Sequence, residues 1–449
     1  MRRRLYIFPA LLPLAEILPF VLTGLGFLAG AVGALWRRAR ILVALSGFLI
    51  VAGLAIWWQH RPSAALVAAG TQTVPAIQHP VPKAAQETAP PIASAQMEFQ
   101  LLWSVPTEAQ VLSSPIAHNG VIVWGTYSDT VEARSLTDGA LKWTLPLGNP
   151  VFSMGLSGDV AYAGEGLHHT ISATHTAMHL PDGQVLWQRE FLGHLEAPPE
   201  FDEKTGRMFT SAGPGGIWAL NMADGTPLWQ ARIGHTDSTP LLYEGKIFAQ
   251  AQPDESVMKS YFYMLDAQNG DLINRITLPG QPWGRPQVSP DGKVIYTSSG
   301  MGQIGVTKPT DKGWVIALDM QGETVWKKEL ENMQIEPGSY MPDEGLIIHT
   351  LKSGVITAVH TENGAVAWRA EAGSEFMAPA TLIRRLGKPP VLAALSVDGV
   401  FTVRHALTGN ELARQQLEQN ASASPVYAEG VLYVLSAYRL YAFGGVGAL

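Results

Sequence analysis

From about residue 99 onward the chain alternates short apolar runs with Gly-containing turns. Residues 219–229, ALNMADGTPLW, show the unit: an apolar run, an Asp-Gly turn, a second apolar run and a Trp. The same phrase ends at Trp143 (ARSLTDGALKW), Trp187 (AMHLPDGQVLW), Trp326 (ALDMQGETVW) and Trp368 (AVHTENGAVAW). Aligned on the turn, Gly139, Gly183, Gly225, Gly322 and Gly364 each stand four residues before a Trp. Gly270 and Gly409 are followed at that offset by Asn274 and Ala413. Successive turns lie about 40 to 52 residues apart, the spacing of four-stranded propeller blades. Each unit has an upstream strand after its own turn, from VIVWG at 121–125 to VLYVLS at 431–436, which makes eight.

The eighth unit ends at RLYAFGG (439–445) with no turn-and-Trp strand behind it. That strand stands at the other end of the domain as FQLLWSVP (99–106), with Trp103 in the Trp position. First and last segments then share a sheet, which closes the ring and removes open strand edges. The pattern predicts an all-β, eight-bladed β-propeller over 99–449, with blade 8 closed by strand 99–106. The Asp-Gly or Asn-Gly pair is expected to supply both positive-φ positions of a tight hairpin turn. Trp103, Trp143, Trp187, Trp229, Trp326 and Trp368 are structural repeat residues packed between blades, each worth very roughly 4–6 kcal/mol of gross burial.

The amino-terminal pattern is different. Residues 5–36 and 41–58 are long apolar stretches, and the second carries no charge. Its length is about that of a helix that spans hydrocarbon. The first carries Pro9, Pro13, Pro19 and Glu16, so part of it reads equally as a kinked or interfacial piece. Residues 1–60 are therefore expected to be a transmembrane helical anchor of one or two helices, contacting the lipid bilayer. Arg37, Arg38 and Arg40 sit between the stretches, while the segment from Gln59 to Met97 holds only Arg61 and Lys83 as basic groups. This imbalance places everything after Trp58 outside the cytoplasm. Residues 61–98 are rich in Pro and Ala without apolar period, a linker reaching roughly 33 Å as a coil and roughly 110 Å as polyproline II. Gly24, Gly26, Gly30 and Gly33 form a small-residue stripe suited to close helix packing.

Charge and composition narrow the chemistry. Beyond residue 61 the chain holds 24 basic and 37 acidic residues, a net of −13, which argues against nucleic acid as a partner. There is no Cys, so disulfides, thiolate metal sites, a Cys nucleophile and a lipidated Cys are all excluded. No phosphate-binding loop, dinucleotide fingerprint, Gly-x-Ser-x-Gly or His-Glu-x-x-His motif is present.

A Gly-x-x-x-Trp turn repeated around a self-closing eight-bladed ring resembles the pyrroloquinoline-quinone (PQQ)-type propeller superfamily over about residues 99–445. Within it, the chain is most like the BamB-like non-catalytic propellers. The resemblance implies a protein-binding scaffold without a cofactor, docked through loops on one face to a membrane protein complex or envelope assembly machinery. With the anchor, it implies a place on the inner (cytoplasmic) membrane, the propeller on the periplasmic or outer side. The superfamily's other branch implies an alternative: a quinoprotein-type dehydrogenase holding PQQ with Ca²⁺ in the central funnel. A ligand-binding membrane sensor is a third reading. Many of those dehydrogenases carry an adjacent Cys pair, and BamB itself a lipidated Cys; neither is possible here.

Three stretches carry candidate chemistry. GLHHTISATHTAMHLPDG (166–183) holds His168, His169, His175 and His179, residue types that bind Zn or Cu. The repeat alignment puts His179 where other blades have Asn221, Asp266, Asp319, His360 and His405, just before the turn, so it is read as a turn-supporting residue. His168, His169 and His175 remain metal candidates beside a reading as surface and structural histidines. The connections between blades place His194 and Glu196, His235 and Asp237, Trp283 and Arg285, Glu336 and Tyr340, and Glu375 and Phe376 at matching positions. In a propeller these lie on one face around the mouth of the channel. They are the candidate partner- or ligand-binding residues, the alternative being a simply wet polar funnel. No catalytic residue is assigned. SSGMGQIGVTKPTDKGW (298–314), with Lys308 and Lys312, lengthens the fifth blade as either a binding loop or a surface insertion.

Overall fold

The computed structural model describes residues 100–253, 259–282, 284–302, 307–334 and 338–445. The anchor stretch 1–60 and the linker 61–98 lie outside the described residues, as do Trp283 and Glu336. Among the described residues no helix is long and apolar enough to cross a membrane.

Every sheet is an antiparallel meander, and there are eight. Blades 1 to 7 occupy residues 116–146, 151–192, 200–231, 241–278, 281–330, 339–371 and 381–416. Blade 8 takes Val426–Ala428, Val431–Leu435 and Arg439–Gly444 from the end of the chain, and Gln100–Pro106 from its start. That strand pairs antiparallel with Arg439–Gly444, from Gln100 opposite Gly444 to Pro106 opposite Arg439. In blade 5 two short strands, Gln281–Pro282 and Gln287–Val288, both pair with Val294–Met301.

The core is divided among eight apolar clusters, one between each pair of consecutive blades. The cluster that joins blade 8 to blade 1 packs Tyr433, Leu435 and Leu440 against Ile122, Trp124 and Leu136. Its presence closes the ring. Middle strands such as Val121–Gly125 and Leu346–Thr350 are buried at every position because a neighbouring blade covers each face. Outer strands such as Thr324–Leu330 alternate exposed and covered positions, as a strand with one wet face must.

The repeated Trp and Gly meet across the blade boundary. The ring of each Trp lies on the turn Gly of the next blade, so a Cβ on that Gly would sit 2.7 Å from Trp103 (Gly139), 2.7 Å from Trp143 (Gly183) and 2.6 Å from Trp187 (Gly225). The indole N–H of Trp143, Trp187, Trp229, Trp326 and Trp368 donates to the carbonyl three residues before that Gly, at 2.9–3.1 Å. Glycine is thus required twice, by its φ near +70° and by the ring upon it. Asn274 replaces one Trp and bonds the same turn at a different carbonyl: its Nδ2 donates to Gln321, one residue before Gly322, at 2.7 Å. Ala413 faces blade 8, whose fourth strand comes from the other end of the chain, so no turn exists there for a Trp to cover.

The turns themselves differ from expectation. In the phrase preceding each Trp only Gly has positive φ; Asp138, Asp182, Asp224 and Asn363 do not. Their side chains act instead, accepting the backbone N–H two residues on, as Asp224 Oδ1 does from Thr226 at 2.9 Å. The tight two-residue turns with both φ positive are the first of the blade, Asn119-Gly120, Glu244-Gly245 and Glu429-Gly430.

Candidate functional site

In an up-and-down sheet the connection leaving the fourth strand emerges at the same end as the loop between the second and third strands. The Gly turns lie at the opposite end. The connections between blades therefore gather on one face, and there they line a cavity of about 500 Å³. Its wall includes Tyr127 from the loop within blade 1, and Phe152, Glu196, Glu200, Asp237 and Arg285 from segments at or before the starts of blades or within blade 5.

The densest chemistry stands on one side of this cavity. His194 comes from the connection between blades 2 and 3, and His235 and Asp237 from that between blades 3 and 4. His168 comes from the loop within blade 2. Asp237 is the centre: its Oδ1 lies 3.0 Å from His194 Nε2 and its Oδ2 2.8 Å from His235 Nε2. His168 Nδ1 is 3.9 Å from Asp237 Oδ2, and Glu196 Oε1 is 4.0 Å from His194 Nε2. The three imidazole centroids are 4.7–5.3 Å apart.

Backbone pairing fixes these positions. His235 exchanges both backbone hydrogen bonds with Gln252, at 2.9 and 2.8 Å, and Thr236 donates to Gly213 at 3.1 Å. Leu195 donates to Glu165, and Gly193 to Ile171. The His194 ring lies against Gly213, where a Cβ would stand 2.7 Å from Cε1. Burial pushes the Asp237 carboxyl up, but its bonds to His194 and His235 outweigh this and hold it below the usual carboxylate range. Burial and the neighbouring Asp237 charge push Glu196 the other way, up to about 7.

The remaining candidates divide. Arg285 Nη2 pairs with Glu200 Oε2 at 2.7 Å; Glu200 opens blade 3 and carries no repeat signature in the sequence. Glu375 lies 4.0 Å from the fully buried Lys352, which is also 3.5 Å from Asp311; neither Lys352 nor Asp311 stood out in sequence. Phe376 is core, packed between blades 6 and 7, and Tyr340 packs on Tyr296 with centroids 5.7 Å apart.

The histidines of 166–183 do not form one group. His169 is exposed beside His168. His175 is buried between Tyr162 and Trp187, where burial lowers its pKa to about 3. His179 supports its turn, with Nδ1 2.8 Å from Asp182 Oδ1. Only His168 reaches the constellation, and its partners stand in the next two connections between blades. Their shared face was the legible signal; the distances within it were not.

A family model described as outer membrane protein assembly factor BamB matches residues 98–189, 130–310 and 311–393. BamB of Yersinia pestis is 26% identical over 193 residues, which cover 40% of this chain and 49% of that protein. Tetrathionate hydrolase of Acidithiobacillus ferrooxidans is 22% identical over 275 residues, 59% of this chain and 46% of that protein. The chain thus spans about half the length of the curated relatives it matches. The crystal structure of BamB from Moraxella catarrhalis shares the fold, with a TM-score of 0.57 at 15% identity, over 77% of this chain and 100% of that one. With the family model matched through three overlapping or adjoining segments of the propeller, the chain belongs to the family of the outer membrane protein assembly factor BamB.

Proposed function

We propose that the chain is a membrane-anchored, non-catalytic propeller that binds a protein partner in an envelope assembly, held at the cytoplasmic membrane with its blades on the outer side. Membership of the BamB family carries the scaffold part of this reading, and the apolar stretches 5–36 and 41–58 carry the anchor. The face of the inter-blade connections supplies the means. Ile171 and Leu192 are 83% and 78% exposed and adjoin through the bond from Gly193 to the Ile171 carbonyl. A bare aliphatic pair on the face of the inter-blade connections suits a partner's apolar anchor residue.

The donor set favours this reading over the quinoprotein one. Ca²⁺ takes oxygen ligands, six to eight of them. Among the described residues that line the cavity the carboxylates are Glu196, Glu200 and Asp237; Glu200 pairs with Arg285, Asp237 is bonded to two imidazoles, and the lining includes no Asn or Gln. The residues present do not fit PQQ with Ca²⁺.

The test is a mild-detergent pull-down of the tagged full chain from its own membranes, with mass spectrometry and an absorption spectrum of the eluate. A stoichiometric protein partner is expected, released by the double substitution Ile171→Asp, Leu192→Asp. A quinone chromophore without a partner overturns the proposal.

A further inference from the structure

We propose that His168, His194, His235 and Asp237 bind one divalent transition-metal ion of the zinc class. The site would lie where the loops of blades 2, 3 and 4 converge on the funnel.

Each of the four side chains offers one ligand atom, and these atoms all lie within 4.8 Å of one another. A tetrahedral shell with bonds near 2.1 Å places its ligand atoms about 3.4 Å apart. The pairs at 2.8, 3.0 and 3.9 Å straddle that value, so side-chain rotations suffice to close it. Three imidazoles and one carboxylate make a nitrogen-rich set, which suits zinc and its borderline neighbours and not the oxygen-seeking Ca²⁺ or Mg²⁺.

Two observations separate this constellation from a chance gathering of surface histidines. His194 is 1% exposed, and its Nδ1 is buried with no hydrogen-bond partner. The polar engagement of that ring is thus directed through Nε2 into the cluster, toward Asp237 and Glu196. His194, His235 and Asp237 are also held from outside the cluster: Gly213 leaves room for one ring, and backbone pairing fixes the two connections. His168, at 53% exposure, is the most open of the four, and with the cavity beside Asp237 it gives a metal ion a way in. Glu196 Oε1, 4.0 Å from His194 Nε2, stands beside the four as a further carboxylate. A bound ion would tie the entrances of three blades together. Metal binding here stands apart from the scaffold reading, because it concerns which ion the face holds and not which protein docks there.

The experiment uses the full chain in mild detergent, tag removed and stripped with chelator. Zn²⁺ is titrated against a chromophoric competitor, and Co²⁺ binding is read from its visible d–d bands. One equivalent per chain is expected, with intense Co²⁺ bands of a four-coordinate site and a rise in Tm. His168→Ala, on an exposed loop, leaves the metal-free Tm unchanged and weakens binding by at least about 100-fold, more than loss of an outer-shell partner. Asp237→Asn weakens it likewise, and His360→Ala, at a distant turn, does not. Absence of a stoichiometric ion, or Co²⁺ bands that survive both His168→Ala and Asp237→Asn, overturns the proposal.

Discussion

His175 and His349 are buried, each with both ring nitrogens lacking a hydrogen-bond partner among the described residues. Burial lowers their pKa values to about 3 and about 4. Both are therefore neutral in the folded chain well below pH 6.5, whereas the unfolded chain takes up a proton at each near that pH. Below 6.5 the unfolded state binds more protons, so stability falls as pH falls, through a window closing near pH 4 for His349 and pH 3 for His175. The slope is about 1.4 kcal/mol per pH unit for each. His175→Phe, which keeps a ring between Tyr162 and Trp187, should raise stability at pH 5 more than at pH 7. Tm measured across pH 4.5–7.5 checks this; a gain independent of pH would mean that His175 does not titrate on unfolding.

At the scale of the blade, the Trp-on-Gly contact explains the repeats that keep the Trp and its loss at Ala413. Trp187 is 8% exposed, lies on Gly225 and donates to the Met222 carbonyl. Trp187→Ala should cost about 3–5 kcal/mol. Ala413→Trp restores the repeat pattern yet should destabilise by about 1–3 kcal/mol, because Ala413 is 6% exposed and no turn of blade 8 awaits the ring. Urea unfolding of the two variants decides it, and a stabilised Ala413→Trp would refute the account. The blades were legible because one Gly and one Trp mark each of them. The turn type was not, because Asp-Gly looks the same whether Asp offers its backbone or, as Asp224 does, its side chain. The constellation was half legible. The alignment set His194 with His235, and Glu196 with Asp237, at matching places in successive connections. It could not show that His168 leans toward them, since that depends on the curl of one loop across a blade boundary. The sequence placed Phe376 and Tyr340 on the same face, where packing draws them inward instead.

For the whole molecule, stability rests on closure. Eight blade–blade clusters form a cycle, and the one between blades 8 and 1 includes Trp103 and Val105 of the closing strand. Deleting residues 100–106 would bare Gly139, empty part of that cluster and leave Arg439–Gly444 with an unpaired edge. We expect a lower Tm, loss of hydrogen-exchange protection first in blades 8 and 1, and concentration-dependent association through the open edge. The register supplies the matching rescue. Gln100 stands opposite Gly444, so the same strand fused after Gly445 through a copy of the blade 1 turn, residues 136–140, can fold back as an ordinary fourth strand. Such a permuted chain keeps every sheet contact while abolishing the link between the two ends of the sequence. If it regains the Tm and protection of the parent, closure itself is what the amino-terminal strand provides. If it does not, the strand matters through its attachment to the preceding linker, and the ring is held by more than its eight cores.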